Sequence, residues 1–362
     1  MIETILIKNF RCIKSLQINP AKINLIVGRN NTGKTSILEA IEKYYQLKPH
    51  AYKRIVPVPS NFRTRYEMFR YLINVKEKEA TVAINNLQLK LYVDDILFER
   101  EMKDFLGNML KIDRNKLDNL TQELRYYNEY YVFGEMLNSK SLFIPKVIVW
   151  SILHLFYEEG EIDFQNLSYV SEEIFKMNEI PLEPILSPIK LEETLSKLKS
   201  TKLEEDLKIK LDVEKTIKKY EIEKIERFQD QFVIFKDGSA IPLDILGDGF
   251  LQMISILYYL IKCKEIALLD EPTAFMHPGY IRKFVEYLID VVKDKNMQVF
   301  ISTHNIDLLE TFLDFGEDDS FVKDNLKIIR LTRVNGDIRA RELGFKEALE
   351  ESEELYTDLR GI

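Results

Sequence analysis

Eight residues constrain this chain more than any others. Residues 28–35 read Gly-Arg-Asn-Asn-Thr-Gly-Lys-Thr, a full match to the pattern G-x-x-x-x-G-K-[ST]. The run before them, Ile23-Asn24-Leu25-Ile26-Val27, is suited to a buried strand, and the run after them, Ser36 to Tyr45, has apolar residues at helical spacing. Strand, glycine loop and helix in that order are the context in which this octet cradles phosphate. Gly28 and Gly33 let the backbone curl so that N–H groups point inward, and the helix presents its positive end to the same anion. Candidate contacts are therefore Gly28, Asn30, Asn31, Thr32, Gly33, Lys34, Thr35 and Ser36. Lys34 would bridge the β- and γ-phosphates of ATP, and the Thr35 hydroxyl would join the shell of a Mg²⁺ ion.

A second half of this site is expected far downstream. Ile266-Ala267-Leu268-Leu269 is an apolar strand ending in two adjacent carboxylates, Asp270 and Glu271. Asp270 would hold Mg²⁺, and Glu271 would polarise the attacking water as the catalytic base. A further strand, Gln298 to Thr303, ends at His304. Upstream, Gly247-Asp248-Gly249 opens an apolar helix, where backbone N–H groups can receive phosphate. The four histidines, His50, His154, His277 and His304, do not pair at metal-ligand spacing, so no zinc site is expected.

Composition narrows the class further. A length of 362 residues allows one large domain or two smaller ones, and 46% hydrophobic with 30% charged residues describes an ordinary soluble globular protein. No apolar run approaches the roughly 20 residues that span a bilayer, and Ile2-Glu3-Thr4-Ile5 opens without a cleavable signal pattern. Two distant cysteines, Cys12 and Cys263, suggest no disulfide framework and fit the cytoplasm. A formal net charge of −8 is not the footprint of a protein coated with nucleic acid, although a local basic groove is compatible with it.

With the phosphate loop, a signature-like Gly-Asp-Gly, the paired carboxylates and a strand-terminal histidine in this order, the chain resembles an ABC-type ATPase head. Within that group it looks like the standalone OLD (overcoming lysogenization defect) ATPases. Four stretches carry the resemblance: Ile5 to Ile13, similar to the first strand and turn of OLD, RecF and SMC heads; Phe232 to Leu246, with Lys236-Asp237-Gly238; Glu271 to Pro278, ending Met276-His277-Pro278; and Leu355 to Arg360. The resemblance implies a P-loop NTPase of the α/β class, with a mixed or parallel sheet core, an antiparallel β-subdomain and an inserted helical subdomain. It implies that His304 senses the γ-phosphate, that Arg11 contacts the nucleotide, and that Gly247 and Gly249 bind the γ-phosphate held by the other subunit of a homodimer. ABC signatures carry a serine where Gly247 stands, which removes one phosphate hydrogen bond and suggests slow turnover. The stretch after His304 is too short for the TOPRIM nuclease domain of OLD nucleases.

Residues 1–99 are expected to hold the first part of the head, including a β-hairpin turning at Asn85-Asn86, and residues 226–362 its second part. Residues 100–225 read as a helical insert: Leu191, Leu195, Leu198, Leu203, Leu207 and Leu211 share one face, while Pro181, Pro184 and Pro188 preclude a long coiled coil. Tyr126, Tyr127, Tyr130 and Tyr131 beside Arg125 read as core or interface, with stacking on single-stranded nucleic acid as the alternative. Asp314, Glu317, Asp318 and Asp319 read as a solvated loop rather than a metal cluster. The functional expectation is a dimeric ATP-driven switch acting on a separate effector, a nuclease in a defence module being one form. The alternative is an ATP-gated DNA-binding protein of RecF or SMC type. A transporter subunit with a membrane partner is disfavoured by His277-Pro278 and Asn9-Phe10-Arg11.

Overall fold

A computed structural model describes residues 1–47, 55–58, 69–110, 132–136, 139–145, 154, 224–228, 231–236, 238–242, 248–274 and 276–353. The chain divides into two compact units: Thr4–Gln17 with Ala40–Pro181, and Met1–Glu3 with Ile18–Glu39 and Leu182–Ile362.

The first unit is built on a seven-stranded sheet. Its strands are β1 (Ile5–Phe10), β2 (Ile13–Ile18), β4 (Ile55–Val58), β5 (Glu79–Ile84), β6 (Leu87–Tyr92), β7 (Val132–Met136) and β8 (Ser139–Pro145), in the order β2-β1-β5-β6-β7-β8-β4. The expected hairpin is present: β5 pairs antiparallel with β6, Ile84 opposite Leu87, and Asn85 turns the corner at φ 53°. That left-handed conformation is one an asparagine tolerates. Helix α2 spans Asp95–Leu110 and buries Phe98 and Met102.

The stretch expected to be a helical insert, 100–225, carries sheet as well as helix. β7 pairs with β6 and β8 with β7, both antiparallel. Here tertiary pairing overrides a helical reading of the surrounding residues, because the backbone groups along β6 need partners. The leucine face at 191–211, the tyrosine cluster at 126–131 and the C-terminal 355–360 lie outside the described residues.

The second unit contains two sheets. Strands β9 (Lys224–Phe228), β10 (Gln231–Lys236) and β11 (Ser239–Pro242) form an antiparallel meander, with Lys236 opposite Ser239 and Gly238 at φ 79° in the turn. The other sheet has the order β12-β13-β3-β14-β15, from β12 (Ile266–Asp270), β13 (Gln298–Thr303), β3 (Ile23–Gly28), β14 (Leu326–Val334) and β15 (Asp337–Gly344). The first four run parallel and β15 closes the edge antiparallel. Every residue of β3, β12 and β13 is buried, which is why these strands are largely apolar and do not alternate.

On one face, Leu25, Val27, Leu269, Val299 and Ile301 pack in a common core with helices α3 (Asp248–Lys262), α4 (Pro278–Lys295) and α5 (Ile306–Asp318). The short α6 (Ser320–Asn325) and α7 (Phe345–Glu353) contribute Val322, Phe345 and Ala348 to the same core. The Tyr259 hydroxyl of α3 donates to Leu268 O at 3.2 Å and accepts from Leu268 N at 3.0 Å, so the outer edge of β12 is satisfied by a side chain. Helix α1 (Lys34–Leu47) follows β3 directly through the glycine loop.

The acidic run is helical rather than a loop. Asp314 to Asp318 lie in α5, and Asp319 caps α6 by accepting from Phe321 N at 2.9 Å. Asp319 also pairs with Lys293 of α4. Among the described residues no cluster of His, Cys, Asp and Glu could hold a metal, and no helix is long and apolar enough to cross a membrane.

Candidate nucleotide-binding site

Parallel pairing brings three strand ends to one edge of the sheet. Register sets Asp270 opposite Ser302, Ser302 opposite Ile26, and Thr303 opposite Val27. Each motif follows its strand immediately, so the phosphate loop, the carboxylates and His304 emerge side by side at the carboxyl edge. Ligands of open α/β sheets bind there.

The loop itself is built by conformation. Gly28 has φ 150°, Asn31 φ 67° and Gly33 φ 88°. A Cβ on Gly28 would stand 2.6 Å from Leu331 O and 2.9 Å from Thr32 Oγ1, so the close approach of β14 demands glycine. Asn30 and Asn31 are exposed, while Thr32 and Ser36 are buried. The Thr32 hydroxyl donates to Arg29 O at 2.8 Å and pins the turn.

Lys34 is 7% exposed, and its Nζ donates to Gly28 O at 2.9 Å and Arg29 O at 3.2 Å. Burial lowers its pKa, against the opposing pull of Glu271 and Asp270. A lysine in such a place favours an anionic partner that restores the charge lost from water.

Thr35 and Asp270 meet across 235 residues of sequence: Thr35 Oγ1 donates to Asp270 Oδ1 at 3.0 Å, with Oδ2 at 3.3 Å. Asp270 is 4% exposed and also accepts from the Ser302 hydroxyl. A hydroxyl and a carboxylate, all hard oxygen, with no sulfur or imidazole between them, form a donor pair suited to Mg²⁺.

Glu271 follows at φ 51°, a left-handed conformation that is costly for a residue with a side chain. Its N–H donates to Ser302 O at 2.9 Å, Oε2 accepts from His304 N at 3.2 Å, and Oε1 lies 2.8 Å from His304 Nδ1. Both carboxylate oxygens thus contact one residue, which directly follows the neighbouring strand β13. Next along the chain, Asn305 donates from Nδ2 to Thr273 Oγ1 at 3.2 Å while its Oδ1 caps α5.

Of the residues expected to form the site, the structure joins Lys34, Thr35, Asp270, Glu271 and His304 with the loop residues 28–36 in one unit. Gly249 is half-buried in the first turn of α3, and Gly247 lies outside the described residues. Arg11 belongs to the first unit, in the β1–β2 turn, where its N–H donates to Leu72 O and its carbonyl accepts from Asn74. His277 is the N-cap of α4: its Nδ1 accepts from Gly279 N at 3.2 Å, and Pro278 occupies the first helical turn. Sequence reasoning assigns no role to Ser302 or Thr273. The one available signal for Ser302 is a hydroxyl residue directly after the apolar run Val299-Phe300-Ile301 of a buried strand.

Comparison with known proteins addresses the family and the fold. A family profile described as an AAA ATPase domain matches residues 1–68 and 59–309. The chain is 23% identical to a Helicobacter pylori protein named ATP/GTP phosphatase, over 86% of this chain and 87% of that one. It is also 23% identical to Endonuclease GajA of Bacillus cereus, over 84% of this chain, and spans about half, 54%, of that protein's length. An Smc head solved with the C-terminal winged-helix domain of ScpA superposes with a TM-score of 0.56 at 13% identity, covering 96% of this chain and 99% of that one, which establishes the SMC-head, ABC-type P-loop fold.

Proposed function

The chain belongs to the family of AAA ATPase domains, and from that premise we propose that it binds ATP with Mg²⁺ and hydrolyses it as an OLD-like ABC-type head. The observation that carries this reading is the Thr35–Asp270 hydrogen bond, which assembles both halves of a nucleotide site from opposite ends of the chain. The relative named ATP/GTP phosphatase, alike over nearly its whole length, supports triphosphate hydrolysis.

The geometry supports the following roles. Lys34 supplies the positive charge for the β- and γ-phosphates, and the loop N–H groups around Gly33 supply donors. Thr35 and Asp270 hold the cation, which when bound neutralises charge building on the phosphate oxygens. Glu271 orients and deprotonates water, and His304 keeps that carboxylate aimed through its clamp at Oε1 and Oε2. We extend the proposal to a homodimer whose heads close on ATP through Gly247 and Gly249 and whose closing is passed to a separate effector. The likeness to a longer protein named an endonuclease supports an effector with nuclease chemistry. The setting in which it acts is proposed to be the cytoplasm.

Lys34→Ala tests the core of this reading. It removes the cation at the phosphates, so ATP affinity measured by calorimetry should fall beyond detection while the fold persists by circular dichroism. Unchanged affinity would overturn the nucleotide assignment. DNA affinity measured over a salt series, with and without ATP, distinguishes the switch from an ATP-gated DNA-binding protein.

A further inference from the structure

Ser302 stands between the two carboxylates of the site and touches both residues. Its hydroxyl donates to Asp270 Oδ1, and its carbonyl accepts the Glu271 N–H at 2.9 Å. It is completely buried, on β13, directly opposite Asp270 in the parallel register. Asp270 Oδ1 accordingly receives two hydroxyl donors, Ser302 from the neighbouring strand and Thr35 from the first turn of α1.

This arrangement has a chemical consequence. A carboxylate on a single bond can rotate, and a cation site needs one of its oxygens fixed. A buried hydroxyl from the neighbouring strand fixes Oδ1. Such outer contacts orient metal-binding groups and typically contribute about 10–100-fold to metal affinity. A hydroxyl is what does this here, because it can donate to the carboxylate from a fully buried position.

We propose that Ser302 is a positioning residue that orients the Asp270 carboxylate for a divalent cation through its hydroxyl, while its backbone carbonyl holds Glu271 in place. The proposal rests on the reading of Asp270 as the cation-holding carboxylate. It makes β13 a two-sided guide, with the hydroxyl serving the metal and the carbonyl serving the base. Substitution of the side chain removes the first function and leaves the second.

The test compares wild type, Ser302→Ala and Ser302→Thr. Nucleotide affinity is measured by calorimetry with Mg²⁺ and again with EDTA, and Mn²⁺ binding to the nucleotide-loaded protein is measured by electron paramagnetic resonance. In Ser302→Ala, Mn²⁺ affinity is expected to weaken about tenfold, with metal-free nucleotide affinity unchanged. Ser302→Thr, which restores a hydroxyl, should recover most of the loss. If wild type responds to metal and Ser302→Ala responds identically, Ser302 has no such role. Equal loss of metal-dependent and metal-free binding in Ser302→Ala, together with a fall in Tm that Ser302→Thr shares, would likewise reduce it to a packing residue. A wild-type protein that binds nucleotide but ignores metal would instead overturn the cation-holding role of Asp270. Failure of wild type to bind nucleotide at all would overturn the site as a whole.

Discussion

Glu271 combines strain and restraint in one residue. Its φ of 51° costs on the order of 1–3 kcal/mol for a residue with a Cβ, and the hydrogen bonds to Ser302 and His304 hold it there. In this conformation the carboxylate contacts His304 at both oxygens. Glu271→Gln keeps the shape and removes the charge that orients water. ATP binding should therefore persist while hydrolysis falls at least roughly a hundredfold, the scale of a positioned base. Phosphate release measured beside calorimetric affinity checks both halves, and turnover at the wild-type rate would make Glu271 structural. Lys34, Thr35, Asp270, Glu271 and His304 are all legible in the amino-acid sequence, because each stands at a set distance from a strand end. Ser302 is not, since its partner Asp270 lies 32 residues away on another strand and comes close only when the sheet forms.

Between residues and molecule, helix ends carry much of the second unit's order. Asp319 ends α5 with its backbone N–H donating to Phe315 O, while its side chain caps α6 through Phe321 N and pairs with Lys293 of α4, so one residue ties three helices. Burial opposes its charge, but the Lys293 bond and the two backbone N–H groups win, and its pKa lies below the ordinary 3.8. A carboxylate with a lowered folded pKa contributes stability above its unfolded pKa and loses it as pH falls through the folded value. Asp319→Ala should destabilise by about 1 kcal/mol, the usual worth of an N-cap. Urea unfolding at pH 7 should show that difference, and it should shrink below about pH 4 as the wild-type carboxylate protonates. A difference that persists undiminished in acid would assign the loss to packing instead. By sequence this residue reads as part of a loop, because four acids in a short stretch look solvated. In the structure, Leu308, Leu309, Phe312 and Leu313 bury the opposite face of the same segment and make it a helix.

For the molecule as a whole, the proposed mechanism depends on a second copy. Gly249 sits half-buried in the first turn of α3, and Tyr259 fastens that helix to β12 two residues before Asp270. The start of α3 is thereby tied through one rigid helix to the strand that carries the carboxylates. If Gly247 and Gly249 complete the site of the opposite subunit, ATP binding and association are linked. With hydrolysis blocked by Glu271→Gln, light scattering over a concentration series should show mass doubling on addition of ATP and Mg²⁺. Gly249→Arg in the same background should bind ATP nearly as well and remain a monomer. A mass indifferent to ATP would overturn the role assigned to Gly247 and Gly249.

Local sequence is sufficient for the parts of this protein whose meaning is local. The octet at 28–35, the apolar runs that end in Asp270-Glu271 and His304, and the Asn85-Asn86 turn each declare a conformation through a few neighbouring residues, because backbone propensity and strand burial act over short range. Tertiary structure alone decided which strand lies beside which. Placing β13 between β3 and β12 puts Ser302 on Asp270 and His304 on Glu271, and sheet pairing drew β7 and β8 into strands within a stretch that reads as helical. Those outcomes depend on hydrogen bonds and buried contacts between segments far apart in sequence, and no short window of residues contains both partners.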